Sequence, residues 1–584
     1  MTHSVHSVLV GMGLCGLLWS GNAAAQATTS VELSGAAAIQ RASALGLPLR
    51  QTMTDGRPVE LYRFYHGVPQ YLTTFNRTAQ DTIGVDELQP GGSTGLNLTG
   101  SGVIVGMWDS GSALATHFEL SGRSENKENV ASTAHATHVG VTICGLGLYP
   151  LAEGMAPSAL LNSYYWDHDL AEMQAEAQQG LVVSNHSYGS VRGWANFGGV
   201  PYWLGDTRVS ASEDYLFGYY DHTALAWDLL CHGHPDYLPV KAAGNDRTDV
   251  GPTSGSHMAW NGVAFVPSTV VRQRDGGTSG YDTIETSGVA KNILTVGAVG
   301  DIIGGHVLAS QVVVEPYSNF GPTDDGRIKP DVVANGAALI SGHNIAPNAY
   351  FTSSGTSMAA PCVTGTIALL QEHYRNLFGV TAPAALMKAI IIHSASEAGP
   401  ALGPDYKHGW GLVNARNAAH LITDIKEGRA TVIAGAFGTG QSQVVNIPND
   451  AYGVRVTLSY TDLPGQVPLF PVLDPTTPQL VNDLDIRIDS APTSTGPWTP
   501  AVYPWVLNPN APSANATRGN NDLDNVERID SNLNFLPPGP IKRHRLVIGT
   551  QGTITGLQPF YVILAVSRLS DVPPARPSSA ILMP

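Results

Sequence analysis

The sequence predicts an α/β fold in which a parallel sheet has helices on both faces, followed by an antiparallel β-sandwich. Short apolar runs without alternation recur between residues 103 and 298, and such runs are typical of strands buried on both faces. Helix-like stretches separate these runs, and strands that alternate with helices indicate a parallel sheet. After residue 428 several strand-like segments alternate apolar and polar residues between Pro, Gly and Asn turns, which is the pattern of a β-sandwich.

Each part of the chain has its own predicted elements. An N-terminal segment has a helix-like start, Ala36–Leu45, and a strand-like piece, Glu60–Tyr65. The buried strands are predicted at Val103–Trp108, Leu160–Trp166, Leu181–Ser184, Leu238–Ala243 and Ile293–Ala298. The helices are predicted at His135–Ile143, Leu170–Gln179, His222–Cys231, Ser357–Phe378 and Ala384–Ala395. The sandwich strands are predicted at Val432–Ile447, Gly453–Tyr460, Asp485–Asp489, His544–Ile548 and Pro559–Val566.

Changes in composition divide the 584 residues into five segments. Residues 1–25 are typical of a signal peptide, because the apolar run Val8–Trp19 is too short to span a bilayer and precedes a small-residue cleavage pattern. No Lys or Arg stands before this run, which departs from the usual pattern. We expect an N-terminal extension at 26–92, a main domain at 93–427, a β-sandwich domain at 428–571 and a disordered tail at 572–584.

Composition excludes two classes of partner. The formal net charge is −16 and no basic run occurs, which argues against a nucleic-acid partner, since phosphate binding needs clustered Lys and Arg. No segment after the signal reaches 18 consecutive apolar residues, so we expect no membrane span. Three cysteines lie in apolar stretches and are interpreted as small buried residues: Cys144, Cys231 and Cys362. A disulfide between two of them is the alternative that the sequence does not decide.

Three motifs place polar side chains at the ends of predicted elements. Asp109 follows a buried strand, where it could hold a histidine ring or simply open a turn. His135 and His138 share a helix face as a general base with a packed second histidine, or as metal ligands, but the zinc-protease pattern is absent because no Glu lies between them. Ser357 begins a helix of small residues, where free N–H groups favour negative charge; a capping serine is the alternative.

These residue types suit amide hydrolysis. That reaction needs a nucleophile, a base, a group that orients the base, and donors for the developing oxyanion. Asn245 ends another predicted strand, so its amide could donate to the oxyanion beside the backbone N–H of Ser357, or it could be a turn residue.

The motifs around these residues resemble those of the subtilisin-like serine proteases, the subtilases. Their order, Asp then His then Ser, is the subtilisin order. The resemblance covers about residues 97 to 425 and implies a subtilisin-type parallel sheet. The matching segments are Val103–Gly111, His135–Gly140, Gly154–Pro157, Asn292–Ala298, Ser318–Asp331 and Gly355–Pro361.

The resemblance implies a catalytic triad of Asp109, His135 and Ser357, with Asn245 as the side-chain oxyanion donor. It implies that residues 187–189 pair with the substrate backbone as an edge strand. Residues 242–244 would form the opposite wall of the primary specificity pocket. The expected substrate-binding residues are Ser187, Tyr188, Gly189, Ala242, Ala243 and Gly244. The extension at 26–92 occupies the place of a subtilase propeptide.

Some positions depart from the family pattern. Ala136 stands where the family usually has Gly, and Cys362, where many relatives have His, is interpreted as a packing residue. Residues 191–222 form an aromatic-rich insertion, interpreted as local core or as a rim of the cleft. Asp246, next to Asn245, could bias the pocket toward basic side chains.

The C-terminal part resembles the jelly-roll domain of some bacterial subtilases, at Leu480–Ile488 and Asn525–Ile529. Such domains often bind calcium, and hard cations prefer oxygen ligands. We expect no cofactor for the chemistry and a structural calcium ion, unless these acids only form surface turns. The candidate metal ligands are Asp483, Asp485, Asp522, Asp524 and Glu527.

Together these features predict a secreted serine endopeptidase, extracellular or periplasmic, that hydrolyses protein or peptide substrates through an acyl-enzyme intermediate. We expect a monomer. The alternatives are a transpeptidase or macrocyclase of the same fold and an inactive subtilase-fold binding protein. An element that caps the cleft and excludes water would favour the transpeptidase, and 191–222 is the only candidate for it.

Overall fold

A computed structural model describes residues 32–47, 49–52, 58–65, 68–73, 76–533 and 543–568 of the chain. The chain divides into two compact units, residues 1–73 and residues 74–584. The predicted signal peptide at 1–25 and the predicted tail at 572–584 lie outside the described residues.

The described residues of the first unit form one helix and four short strands. Helix α1 covers Ala36, the predicted start of the helical stretch, and strand β3 contains the predicted strand-like piece. β3 pairs antiparallel with each of the other three strands. The elements are β1 (Glu32–Ser34), α1 (Gly35–Ala44), β2 (Arg50–Thr52), β3 (Pro58–Tyr65) and β4 (Val68–Thr73).

The second unit begins with helix α2, which precedes the boundary expected near residue 92. Gln80 and Gln89 in this stretch both donate to the backbone oxygen of Gly154, at 3.0 and 3.1 Å. The helices of the unit are α2 (Asn76–Ile83), α3 (Ala134–Cys144), α4 (Asp169–Gln178), α5 (His222–Gly233), α6 (Thr356–Phe378), α7 (Ala384–Ser394) and α8 (Ala415–Lys426).

Thirteen strands precede the sandwich in this unit: β5 (Ile104–Asp109), β6 (Ser124–Asn126), β7 (Leu160–Tyr165), β8 (Val183–His186), β9 (Trp194–Phe197), β10 (Val200–Asp206), β11 (Leu238–Ala242), β12 (His257–Trp260), β13 (Phe265–Ser268), β14 (Leu294–Val299), β15 (Val332–Asn335), β16 (Leu339–His343) and β17 (Ala349–Ser353).

The main sheet has seven strands in the order β15-β14-β11-β8-β5-β7-β6, and its strand pairs are parallel. This confirms the predicted α/β class. All five predicted strands are present, while β6 and β15, of three and four residues, were not predicted. β6 also has a wholly polar sequence, which carries no apolar signal.

Helix α6 runs through the interior of this unit for 23 residues. It packs across β8, β11, β14 and β15 and against helices α3 and α8. Gly365 lies where α6 crosses close to its neighbours, because a Cβ at this position would lie 2.5 Å from Met155 Cβ and 3.0 Å from the Ile143 backbone oxygen. The small residues of α6 therefore allow the close approach that the buried position of the helix requires.

Strands β9 and β10 of the insertion at 191–222 form a separate small sheet with β12 and β13, in the order β13-β12-β10-β9. Trp194 and Trp203 pack with Ala259 as a local core. Phe217, Tyr219 and Tyr220 are also buried. These aromatic side chains therefore act mainly as core, as the first of the two interpretations expected.

Two four-stranded antiparallel sheets form the C-terminal sandwich around a shared core that includes Val456, Leu484 and Ile548. Their orders are β18-β27-β20-β25 and β19-β26-β21-β22, and the short pair β23-β24 lies apart. The strands are β18 (Ala430–Phe437), β19 (Ser442–Ile447), β20 (Ala451–Ser459), β21 (Asp483–Ala491), β22 (Thr499–Val502), β23 (Trp505–Val506), β24 (Thr517–Arg518), β25 (Val526–Asn532), β26 (Arg543–Gln551) and β27 (Gln558–Arg568).

This part confirms the predicted sandwich, but one predicted strand was wrong. The segment Val432–Ile447 is two strands, β18 and β19, which belong to different sheets. A turn with Gly440 at φ +73° separates them, and this backbone conformation favours glycine.

Candidate active site

Asp109 and His135 meet at the carboxyl end of strand β5. Asp109 is the last residue of β5 and is fully buried, and His135 lies in the first turn of α3. Asp109 Oδ1 accepts from His135 Nδ1 at 2.7 Å and also from the Ser110 backbone N–H at 2.7 Å. Thr133 caps α3 by accepting from Ala136 N at 3.2 Å, which places the histidine at the start of the helix.

The surroundings of His135 make its imidazole ring a stronger base than an ordinary histidine. Burial lowers the pKa of His135, but the hydrogen bond and the charge of Asp109 outweigh it, so the net pKa is raised above its usual value. Because Nδ1 is bound to Asp109, the other ring nitrogen, Nε2, is available for proton transfer. The histidine side chain is 37% exposed, so this nitrogen can be reached from the cleft.

Ser357 is the second residue of helix α6 and follows Gly355, whose φ of +154° favours glycine. Its hydroxyl donates to the backbone oxygen of Ser187 at 3.1 Å, and the Ser187 hydroxyl donates to the Ser357 backbone oxygen at 2.9 Å. Among the residues that the structure describes, no hydrogen bond joins Ser357 to His135. The structure therefore places Ser357 at a helix N-terminus, with its hydroxyl turned toward the Ser187 segment.

Asn245 lies beside the same helix N-terminus. Its side-chain oxygen accepts from the Thr356 backbone N–H at 2.9 Å and from the Thr356 hydroxyl at 3.1 Å. These bonds fix the amide group, so that the Nδ2 donor is the free end. Asn245 is exposed, and the Nδ2 donor is therefore available to a bound oxygen atom. The sequence did not single out Thr356, which fixes this orientation.

A pocket of about 180 Å³ opens next to Ser357. Four of the six predicted substrate-binding residues line it, namely Tyr188, Gly189, Ala242 and Gly244. The other two lie behind the lining. The Ser187 hydroxyl donates a hydrogen bond to the Ser357 backbone oxygen. Ala243 is fully buried in a cluster with Trp108 and Tyr164.

The pocket also contains a buried ion pair that the sequence analysis missed. Lys241 Nζ lies 2.9 Å from Glu285 Oε1, with side chains only 1% and 2% exposed. Lys241 also donates to the Tyr188 backbone oxygen. Burial alone would raise the pKa of Glu285, but the charge of Lys241 and hydrogen bonds from Ser287 lower it below its usual value. A lysine inside the apolar run Leu238–Ala243 was the available signal, since a buried charge needs a partner.

Asp246 also lines this pocket. It accepts from Asn319 Nδ2 at 3.0 Å, and burial raises its pKa to about 6. The charged residues that line the pocket are Lys241, Glu285 and Asp246. Because the charges of Lys241 and Glu285 cancel, Asp246 is the charged group of the pocket that has no counter-charge.

His138 and the cysteines take packing positions. His138 is fully buried and its Nε2 contacts the Leu339 backbone oxygen at 3.0 Å. Burial lowers the pKa of His138 to about 3, so the ring is neutral. Cys362 donates to the Met358 backbone oxygen within its own helix. All three described cysteines are free and buried, which agrees with their interpretation as core residues.

The five candidate metal ligands of the sandwich separate into two groups. Asp483, Asp485 and Glu527 each have one buried carboxylate oxygen without a hydrogen-bond partner among the described residues. Asp524 instead accepts from the Ile328 backbone N–H at 2.9 Å, and Asp522 is exposed. Three of the five candidates therefore offer unpartnered oxygen atoms, as ligands of a cation would.

Residues 100–411, more than half of the chain, match the model of the subtilase family. The chain belongs to the subtilase family. In the part of the chain that the structure describes, no helix is both long and apolar enough to cross a membrane.

Relatives of this subtilase match only a part of it. C5a peptidase of Streptococcus pyogenes is 36% identical over 118 residues, which are 19% of this chain and 10% of the relative. Serine protease AprX of Bacillus subtilis (strain 168) is 36% identical over 117 residues, 17% of this chain and 26% of the relative. The self-cleaved protease domain of PatA has a TM-score of 0.38 at 20% identity, covering 56% of this chain and 98% of that domain.

Proposed function

We propose that this subtilase is a secreted serine endopeptidase that uses Asp109, His135 and Ser357 as its catalytic triad. The observation that carries the proposal is the 2.7 Å hydrogen bond from His135 to the buried Asp109 at the carboxyl end of β5. A base, its orienting group, a nucleophile and an oxyanion donor are the parts that acyl transfer requires.

The reaction begins when the Ser357 hydroxyl turns from the Ser187 backbone oxygen to His135 Nε2. His135 takes the hydroxyl proton as Ser357 Oγ attacks the peptide carbonyl carbon, which forms a tetrahedral intermediate. The imidazolium, stabilised by Asp109, then gives its proton to the leaving amine, and the C–N bond breaks to leave an acyl-enzyme. Water, deprotonated by His135, attacks the ester carbonyl carbon. His135 then gives this proton to Ser357 Oγ as the ester C–O bond breaks, which releases the acid and regenerates the Ser357 hydroxyl.

Asn245 stabilises the negative charge of both tetrahedral intermediates. Its Nδ2 and the backbone N–H of Ser357 are the two donors beside the reacting carbonyl. The N-terminus of α6 contributes its positive dipole end at the same place. The bonds from Thr356 to the Asn245 oxygen hold the amide in this orientation before substrate arrives.

The substrate backbone pairs with the exposed Gly189–Ser190 segment as an added strand, and the residue before the scissile bond enters the pocket beside Ser357. We expect a basic side chain there, because Asp246 is the uncompensated charge of the pocket. The charges of Lys241 and Glu285 neutralise each other, and both residues line the pocket. The pocket therefore accepts only a side chain that fits about 180 Å³.

The sandwich domain holds a structural calcium ion in this proposal. Asp483, Asp485 and Glu527 would bind it through the carboxylate oxygens that lack hydrogen bonds. Burial raises the pKa of Asp483 to about 7 and of Asp485 to about 6. The charge of Asp522 adds to both shifts, while Arg487 opposes that of Asp485. A bound cation would relieve this repulsion. Within the expected extension at 26–92, the part that precedes α2 acts as a propeptide, because Ala79, Ile83, Val85 and Leu88 are buried in the core of the second unit. The mature enzyme works as a monomer outside the cell.

The test compares the purified chain with its Ser357→Ala variant on casein and on a panel of peptides. We expect hydrolysis only with Ser357 present, a loss of at least 10³-fold in kcat/KM in the variant, and cleavage after basic residues. Mass spectrometry of the products separates hydrolysis from transfer to another amine, and intact mass shows whether residues 26–92 are still attached. Equal activity of both proteins would contradict the proposal.

A further inference from the structure

A second cavity, of about 920 Å³, lies apart from the pocket at Ser357 and shares none of its lining residues. Carboxylates from four separate segments line it. Glu213 comes from the insertion at 191–222, Asp282 and Asp324 come from loops of the catalytic part, and Asp474 comes from the segment between β20 and β21.

The carboxylate oxygens in this cavity converge. One oxygen from each of Glu213, Asp282 and Asp474 lies within 4.8 Å of the others. Asp282 Oδ1 and Asp324 Oδ1 also face a single point, since a Cβ on Gly218 would lie 2.3 Å from the first and 2.2 Å from the second. Gly218 thus leaves open the space between two carboxylates. The Asp324 backbone N–H donates to the Gly218 oxygen at 3.1 Å, which keeps the residues adjacent.

These oxygens are buried without partners, which acids in proteins rarely are. Both oxygens of Asp324 and Oδ1 of Asp282 are inaccessible to solvent and accept no hydrogen bond among the described residues. Neighbouring acids differ in this respect. Asp275 accepts from the Trp194 backbone N–H, and Asp214 accepts from the Gly193 backbone N–H, both at 2.9 Å. Among the acids that line this cavity, the buried oxygens without partners therefore belong to Asp282 and Asp324.

No cation of the described chain compensates this group. The charged side chains that act on Glu213, Asp282 and Asp324 are all acidic, and burial together with that repulsion raises the pKa of each above its usual value. Arg274 also lines the cavity, but its Nε and Nη2 donate to the backbone oxygens of Gly277 and Thr278, at 2.8 and 3.1 Å. Burial of several carboxylates together is costly unless a cation joins them.

We propose that Glu213, Asp282, Asp324 and Asp474 form a binding site for one calcium ion. The ligand set consists only of carboxylate oxygens, which suits a hard cation that takes six to eight oxygen ligands, and it has no His or Cys as a zinc site would. The ion ties the insertion, the catalytic part and the segment between β20 and β21 to one another. It also braces the loop from Asp282 to Glu285, which carries one partner of the ion pair in the substrate pocket.

The test measures calcium binding to the full chain, with Ser357→Ala in every arm so that no self-digestion occurs. The protein is freed of metal with EDTA and titrated with calcium chloride by calorimetry, and Tm is measured in EDTA and in calcium. The main variant combines Glu213→Gln with Asp474→Asn, because neither residue is fully buried and the fold should tolerate the changes. Asp450→Asn, which removes a 61%-exposed carboxylate of the sandwich, is the matched control.

We expect the double variant to bind one calcium ion fewer than the parent, or to bind it at least tenfold more weakly, while the control binds like the parent. Asp324→Asn should raise Tm in EDTA, since it removes the cost of burying or protonating this carboxylate, and should abolish much of the Tm increase caused by calcium. Asp483→Asn with Asp485→Asn removes any ion of the sandwich, which distinguishes the two sites. Unchanged stoichiometry and affinity in the Glu213/Asp474 variant would overturn the proposal, even if Asp324→Asn failed to fold.

Discussion

At the residue scale, the proposed base depends on a balance between burial and one carboxylate. Burial disfavours the charged ring of His135, and the 2.7 Å hydrogen bond to Asp109 favours it more strongly. The same bond fixes which ring nitrogen carries the proton. A single oxygen of Asp109 therefore sets the tautomer, the orientation and the pKa of His135.

Asp109→Asn should lower kcat by about 10⁴-fold, since an amide stabilises neither the required tautomer nor the imidazolium. Peptide hydrolysis requires neutral His135, so activity rises as pH rises through its pKa. Asp109 holds that pKa above its usual value. The acidic limb of the variant's pH–rate profile should therefore shift to lower pH. Measuring kcat/KM from pH 5 to 9 checks this, and an unmoved acidic limb would show that another group controls it.

Sequence reasoning found the candidate site residues that end elements within recognisable motifs. Asp109, His135 and Ser357 each lie in such a motif, and the structure brings the first two into contact. Sequence reasoning could not identify Glu285, because the partner of Lys241 depends on where a distant loop lies relative to strand β11. The convergence of Asp282, Asp324 and Asp474 also depends on tertiary structure. These residues are far apart in the sequence, so their spacing does not predict that they lie close together.

At the element scale, strand β11 carries a buried charge into the wall of the pocket beside Ser357. Lys241 is paired there with Glu285, which also accepts from the backbone N–H groups of Ser287 and Gly288, both at 3.1 Å, and so caps the short helical turn Thr286–Val289. One carboxylate thus serves both the pocket floor and the turn. Element length explains a second limit of the sequence analysis, since three- and four-residue strands such as β6 and β15 have no usable periodicity.

Replacing one partner of this pair should cost more stability than replacing both. Lys241→Met leaves a buried carboxylate, and Glu285→Gln leaves a buried ammonium, so each should lower the free energy of unfolding by about 3–5 kcal/mol. The double variant removes both charges and keeps an acceptor for the turn, so it should recover most of that loss. Urea denaturation of the four proteins gives the coupling free energy, and simple additivity would mean that the pair contributes nothing jointly.

At the scale of the whole molecule, the sandwich is joined to the catalytic part by buried polar groups as well as by apolar packing. Lys291, just before β14, pairs with Asp462, just after β20, and both side chains are 0% exposed. Lys291 also donates to the backbone oxygens of Leu463 and Gln479, and Asp462 accepts from the N–H groups of Val481 and Asn482. Strand β20 packs against helix α7 beside this contact.

Because these groups are satisfied only when both parts are folded, residues 76–568 should unfold as one cooperative unit. Asp462→Asn leaves Lys291 buried without its counter-charge, so it should lower the free energy of unfolding by about 3–5 kcal/mol. Its calorimetric trace should keep a single peak for these residues, shifted to lower temperature, while Asp450→Asn should leave Tm nearly unchanged. Two separate peaks, with the sandwich melting first and the catalytic part keeping the parent's Tm, would show instead that the domains are energetically independent and that the buried contact between them contributes little.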